Sequence, residues 1–372
     1  MSRNNSGEGS LSQRPDGRWQ ASLQVDGVRR VVYGKTEHEA KKKLRQLKAQ
    51  AAKNNYLCTP GRRTVGDLLN QWLLTMAPTL RPRTNADYRW HVDKYILPSL
   101  GAIPLSRLSP AHVQKLYTEL LNRGLSRGAV IVHCELHAAF RLAVQWRWLP
   151  DNPTDRVIKP KHQYKRMKIW NKDQLATFLA ATEDHWLHPL WIVAIASGAR
   201  ISELVGLKWE DVDLVASTLR ICRTLQRIGG QWVEGEPKTQ AGRRTISLPP
   251  TAVEALKKQK AMTEERRLQA GPGWREDHGL VFTGEVGGPL LASTPEHALR
   301  RLCRKLGLPP VTPHGLRHLS ASLLLDQGVP VTAVSRRLGH ADAGITMKIY
   351  AHAFSHQDDR EAQALQEALG AR

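Results

Sequence analysis

Ser197-Gly198-Ala199-Arg200-Ile201-Ser202-Glu203-Leu204 stands where one apolar helical run stops and another begins. The glycine marks the junction, so a side chain just beyond it can leave the core, and the one placed there is an arginine. Glu203 follows three residues later on the same helical face, where it either orients Arg200 or is simply an exposed helix carboxylate. Two further boxes lie downstream. In Pro313-His314-Gly315-Leu316-Arg317 the proline opens a helix and puts His314 and Arg317 on one face of its first turn. Leu338-Gly339-His340 closes the next helix, and Tyr350 lies ten residues further, on a helix whose Ile345 and Ile349 should face inward. Each residue alone is ordinary: a single Arg is usually surface charge, a single His or Tyr usually packing.

The composition narrows what these residues can serve. At 372 residues the chain is long enough for two or three domains, and 41% apolar with 24% charged is that of an ordinary soluble protein. Lys plus Arg exceed Asp plus Glu by 55 − 34 = 21, an excess that calls for a polyanionic partner, with nucleic acid first. Cys58, Cys134, Cys222 and Cys303 lie too far apart for a zinc knuckle or a disulfide framework and read as buried thiols in a reducing compartment. Met1 to Ser10 resembles neither a secretory nor a transit segment, and the longest apolar run, around Leu190 to Ala196, has the length of a core helix. The expectation is a cytoplasmic protein with no membrane partner.

Working outward, the N-terminal stretch alternates Trp19, Ala21, Leu23 and Val25 with polar residues, turns at Asp26-Gly27 and resumes as a strand over Val28 to Tyr33. Thr36 and Glu39 read as a capping box for a helix with Ala40, Leu44, Leu47 and Ala51 on one face. Residues 1–64 hold 14 Lys/Arg against 5 Asp/Glu, a net +9 in a module too small to need it for solubility. From Thr64 to about Val157 the pattern is helical. One stripe is Val65, Leu68, Leu69, Trp72 and Leu73; another is Val113, Leu116, Tyr117, Leu120 and Leu121, started by Ser109-Pro110 and stopped by Gly124. Asn152-Pro153 ends the bundle, and Lys159, Lys161, Lys165, Arg166 and Lys168 make a basic linker. Beyond Trp170 comes a helical run to Ser197, a helix from about Ile201, β-rich runs Thr218 to Leu225 and Arg244 to Leu248, and then mostly helix. The fold class is multidomain, mainly α with small β-sheets. Its parts are a ββα-type unit over 1–62, a helical bundle over 63–158, a linker over 159–169, a mixed α+β domain over 170–355 and a tail over 356–372.

Familiar chemistries have no anchor. The chain carries no Walker loop, no G-x-G-x-x-G after a strand, no H-E-x-x-H and no G-x-S-x-G. His314 and His318 stand at i, i+4, but no carboxylate completes a metal set, so neither metal nor cofactor is expected.

Taken in order, the Ser197 to Leu214 stretch, His314-x-x-Arg317 and Leu338-Gly339-His340 with Tyr350 resemble the three hallmark motifs of the tyrosine recombinase (phage integrase) family. The bundle resembles that family's core-site-binding domain and the first 60 residues its arm-binding domain. The resemblance implies a catalytic set of Arg200, Lys238, His314, Arg317, His340 and the nucleophile Tyr350. Lys238 lies in Glu236-Pro237-Lys238-Thr239-Gln240-Ala241-Gly242-Arg243-Arg244, where Ala-Gly replaces a small polar residue common in the family. It implies a site-specific recombinase that cleaves and rejoins duplex DNA at core and arm sites through a 3′-phosphotyrosine. It further implies a tetramer on DNA in a bacterial host cell, with accessory bending or directionality proteins. Candidate DNA contacts from the basic stretches are Arg18, Arg29, Arg30, Arg81, Arg83, Lys161, Lys165, Arg166, Arg243 and Arg244. Two rivals share parts of this reading: a type IB topoisomerase-like nicking-closing enzyme, and a non-catalytic helix-turn-helix reader over Thr332 to Tyr350. Neither needs the added basic ββα unit together with two separate arginine motifs.

Overall fold

The computed structural model describes residues 9–25, 28–53, 63–163, 169–237, 239–275, 278–344, 347, 366 and 369–370. Lys238 and Tyr350 lie outside the described residues, as do Cys58, Lys165, Arg166, Ile345, Ile349, most of the tail and much of the second helix of the helix-turn-helix reading. The chain divides into two compact units, residues 1–164 and 165–372.

In the first unit, β1 (Ser10–Gln13), β2 (Trp19–Val25) and β3 (Val28–Gly34) form an antiparallel sheet in that order, with Val25 paired to Val28; the expected Asp26-Gly27 turn itself lies outside the described residues. β1 went unread because its Ser-rich sequence carries no apolar alternation. Helix α1 (Glu37–Lys53) packs on β2 and β3, over the sheet face that buries Ala21 and Leu23. Its cap departs from the expected box: the Glu39 N–H donates to Thr36 Oγ1 at 3.2 Å, but Glu39 Oε2 accepts from the N–H of Lys35 at 2.8 Å, one residue earlier.

The bundle consists of α2 (Val65–Met76), α3 (Pro82–His91), α4 (Leu97–Leu100), α5 (Pro110–Asn122) and α6 (Ser126–Gln145), with a π turn over Val92–Ile96 joining α3 to α4. Both expected stripes meet in its core, where Trp72, Tyr117 and Phe140 are fully enclosed. Leu121 is the exception at 39% exposed, because i, i+3, i+4, i+7 from Val113 already fills the inward face and leaves Leu121 at its edge. Cys134 is exposed, Cys222 half-buried and Cys303 buried, so the reading of every cysteine as buried fails at Cys134, on the outer face of α6.

In the second unit the helical run to Ser197 is two helices, α7 (Lys172–Ala181) and α8 (His188–Ser197). The break follows from Pro189, which has no N–H to give a continuous helix and fits only a first turn. The helix from Ile201 is a single turn, α9 (Ile201–Leu204). The β-rich runs resolve into two sheets. β4 (Val212–Asp213), β5 (Thr218–Ile221) and β8 (Arg244–Ser247) form one in the order β4-β5-β8. β6 (Thr224–Ile228) and β7 (Gln231–Gly235) form a hairpin across Gly229 and Gly230, both at positive φ. The Gly-Gly pair was the available signal for β7. Then come α10 (Pro250–Ala270), α11 (Ser293–Lys305), α12 (Pro313–Asp326) and α13 (Val331–Leu338). α8 is apolar almost all round and accordingly sits inside, with α10 and α12 packed on it and Trp191 fully buried between Phe178 and its neighbours.

Candidate active site

Helix α8 ends at Gly198, at φ +63°, and α13 ends at Gly339, at φ +69°. At both positions crowding adds to the left-handed backbone. A Cβ on Gly198 would stand 2.7 Å from Leu338 Cδ2, and one on Gly339 would stand 2.9 Å from both the Ala241 carbonyl and Arg244 Nη1. The two helix ends therefore touch each other and the turn ahead of β8, which brings the three sequence boxes together.

Arg317 fastens this junction. Its Nη1 donates to the Gly198 carbonyl and its Nη2 to the Leu338 carbonyl, each at 2.7 Å, and the residue is 2% exposed. The expectation that His314 and Arg317 project together is therefore corrected. His314 is exposed, but Arg317 turns inward, where its fork donates to two main-chain oxygens. Arg200 caps α9 and keeps a third of its side chain open. Its Nη1 donates to Glu203 Oε1 at 2.8 Å, and its main-chain N–H to Glu203 Oε2 at 2.9 Å. Glu203 is 1% exposed, which settles its two alternatives against an exposed carboxylate.

The histidines register the crowding of positive charge. His340 is pushed down to about 4 by burial first, then by Arg317, Arg200, His318 and Arg244. His318 is also held at about 4, by burial, His314 and Arg317; His314, open to solvent on one side yet crowded by protein on the other, is lowered by that crowding first and then by Arg317 and Arg200. The His314 and His318 rings stand nearly perpendicular with centroids 4.6 Å apart. Residues from four separated segments thus share one electropositive neighbourhood in which imidazoles stay neutral.

Two arginines were not foreseen in this place. Arg244, read as a DNA contact, is 6% exposed in its side chain, with Nε, Nη1 and Nη2 donating to the Arg337 carbonyl, the Gly242 carbonyl and Glu203 Oε2. A guanidinium so occupied does not face a DNA backbone. Arg337 had no assignment; its Nη2 donates to the carbonyls of Ala196 (2.6 Å) and Ser247 (3.0 Å). In sequence it looked like an ordinary cation in a helix's last turn.

The other basic candidates are spread over the surface. Arg18 is exposed near Asp16, Arg83 pairs with Asp87 at 3.0 Å, Arg243 pairs with Glu236 at 2.5 Å, and Arg81 and Lys161 are exposed. Arg29 and Arg30 are both exposed but on opposite faces by strand register. Arg30 is opposite Leu23 on the α1 side, and Arg29 donates from Nε to Ser22 Oγ on the other face at 3.2 Å.

A mixed domain that draws two arginines and two histidines from three ordered boxes into one pocket of charge, together with a helical bundle, defines the tyrosine recombinase class of DNA strand-transfer enzymes. The chain belongs to the phage integrase family: the family matches residues 168–357, and the N-terminal SAM-like domain of phage integrases matches residues 64–121. It is similar to an integrase of Streptomyces ambofaciens, 31% identical over 85% of this chain and 83% of that one. A tyrosine recombinase XerC-like protein of Caldanaerobacter subterraneus subsp. tengcongensis is 28% identical over 91% of both chains. Among solved structures, the Tn1549 transposon integrase in complex with transposon right end DNA superposes with a TM-score of 0.67 at 23% identity, covering 83% of this chain and 100% of that one. A lambda integrase tetramer bound to a Holliday junction gives 0.62 at 20% identity, covering 90% and 96%. The protein is a site-specific recombinase of the tyrosine type, and the mainly helical fold with small antiparallel sheets is the one expected.

Proposed function

We propose that this recombinase cuts and rejoins duplex DNA through Tyr350, with Arg200, Lys238, His314, Arg317 and His340 as the groups that serve it. The observation that carries the reading is geometric: the ends of α8 and α13 meet over the Arg317 guanidinium, which gathers Arg200, Arg317 and His340 at one place. So much positive potential in one place is unfavourable until a polyanion enters, and a phosphodiester fits it.

The step balances without metal or nucleotide. The Tyr350 oxygen attacks phosphorus and its proton passes to His314; the bond from phosphorus to the 5′ oxygen breaks, and that oxygen takes a proton from Lys238. The product is a 3′-phosphotyrosyl bond that keeps the phosphodiester's energy for rejoining. Arg200, open by a third, grips a non-bridging oxygen through its free N–H groups, and His340 donates to the phosphate. Arg317 acts from beneath, since its fork holds main-chain carbonyls: it supplies charge at short range and fixes the floor on which His340 stands.

Core DNA is bound by the bundle and the catalytic unit, arm DNA by the basic sheet unit of residues 1–62, with the exposed Arg29 on the face away from α1. Exchange between two duplexes takes four active sites, so the chain works as a tetramer on DNA, integrating or excising a mobile element with accessory bending or directionality proteins. The domain limits near 62 and 158 and a tail that docks on a neighbouring protomer belong to the same proposal. The test is Tyr350→Phe with a nicked core site: binding is expected at wild-type affinity with no covalent complex. Covalent trapping by that variant would refute the assigned nucleophile.

A further inference from the structure

We propose that Arg244 is a positioning residue for strand transfer: it locks the turn that follows Lys238 onto Glu203, and through Glu203 sets the guanidinium of Arg200. The proposal rests on the recombinase reading above and adds to it a residue whose three guanidinium nitrogens all donate to acceptors within the protein.

The argument begins with what a planar fork can do. Arg244 satisfies three acceptors at once, at 2.6 Å (Arg337 carbonyl), 2.9 Å (Gly242 carbonyl) and 3.0 Å (Glu203 Oε2). Each acceptor belongs to a different part of the site: the last turn of α13 that leads to His340, the turn between Lys238 and β8, and the carboxylate that holds Arg200. Gly339 lies directly against it, so the backbone leading to His340 rests on the same guanidinium. A lysine at this position keeps the charge but cannot reach three acceptors in one plane.

Charge makes the arrangement necessary. Glu203 is 1% exposed, and burial on its own would favour the protonated acid. Arg244 leads the groups that oppose this, ahead of the Arg200 hydrogen bonds, so the carboxyl is lowered and stays ionised. Without Arg244 the carboxyl takes a proton at higher pH, presents an O–H to Arg200 in place of an acceptor, and releases that side chain from its working geometry. The turn behind Lys238 loses its tie in the same event.

The experiment compares wild type with Arg244→Lys in the full chain, using single-turnover cleavage of a nicked core site at saturating protein, across pH. Cleavage is expected to fall by about 10–100-fold, the usual range for a group that orients a reacting one, while core-site affinity stays within about 2-fold. Arg244→Gln, which removes the charge as well, should also move the acid limb of the rate profile to higher pH, which a merely structural brace would not produce. Cleavage at the wild-type rate in Arg244→Lys, or an unmoved pH profile in Arg244→Gln, overturns the proposal. Should Arg244→Lys not fold, Glu203→Gln carries the test: the same loss with a flattened acid limb is expected, and unchanged cleavage overturns the proposal. Wild-type covalent complex is the control. Its absence overturns the recombinase reading and this proposal with it, whereas its presence alongside an unaffected Arg244→Lys overturns this proposal alone.

Discussion

Replacing Arg317 by methionine should cost the protein stability before any DNA is present. The side chain is 2% exposed and holds the Gly198 and Leu338 carbonyls at 2.7 Å each. A hydrogen bond from a charged donor contributes about 1.5–3 kcal/mol, and methionine leaves both buried oxygens without that donor. Part of this is offset, because a buried guanidinium no longer has to be stripped of water. Breaking such an arrangement typically costs about 3–5 kcal/mol. In a unit the size of residues 165–372, each kcal/mol moves the midpoint by about 2–4 °C, so Tm should drop by roughly 6–20 °C. Differential scanning calorimetry on the full chain without DNA measures this, with tryptophan fluorescence following the transition that exposes Trp170 and Trp191. A variant that abolishes cleavage yet melts within about 2 °C of wild type would refute the reasoning, since Arg317 would then serve the phosphate alone.

Gly339→Ala should slow covalent complex formation by about 10-fold or more, and Gly339→Asn should not restore it. Asparagine tolerates the left-handed backbone, but its Cβ still stands 2.9 Å from Arg244 Nη1, so rescue by Asn would show that only φ matters. His318 and His340 are both lowered to about 4, so between pH 6.5 and 4 the unfolded chain binds protons that the folded chain refuses. Stability is therefore complete above about pH 6.5 and lost as pH falls, by roughly 1–3 kcal/mol at pH 5 after solvent screening. Denaturant titrations at pH 7 and 5 check this, and the slope should shrink in His318→Gln; a flat profile contradicts the cluster. Phosphate beside the same imidazoles reverses the sign, so core-site affinity should rise as pH falls, with proton uptake seen by calorimetry in two buffers. Deleting residues 1–60 should weaken arm-site binding with a steep salt dependence and spare core-site cleavage; an unchanged footprint would remove the arm-binding role.

The parts of the fold that could be read from the sequence were those decided locally. Ser109-Pro110, Gly198 and Gly339 punctuate helices because proline and glycine act on their own backbone, and the alternation around Trp19 to Val25 needed only its neighbours. The three boxes indicated which residues gather, and Arg200, His314, Arg317 and His340 do share one neighbourhood. Direction was not legible. Arg317 and Arg244 look identical in sequence to cations bound for DNA, and only the position of distant carbonyls turns them inward. The division of Thr218 to Leu225 between two sheets likewise depends on partners far along the chain, with β5 pairing to β8 and β6 to β7.

The acceptors around this centre are mostly main-chain oxygens, those of Ala196, Gly198, Gly242, Ser247, Arg337 and Leu338. Every amino acid brings the same carbonyl, so the identity of residues 196 and 247 can drift while the knot stays tied. What cannot drift is the donor. The grip is written in a few guanidinium groups and in the two places where no side chain fits, which lets the rest of the lining be retuned without dismantling the centre.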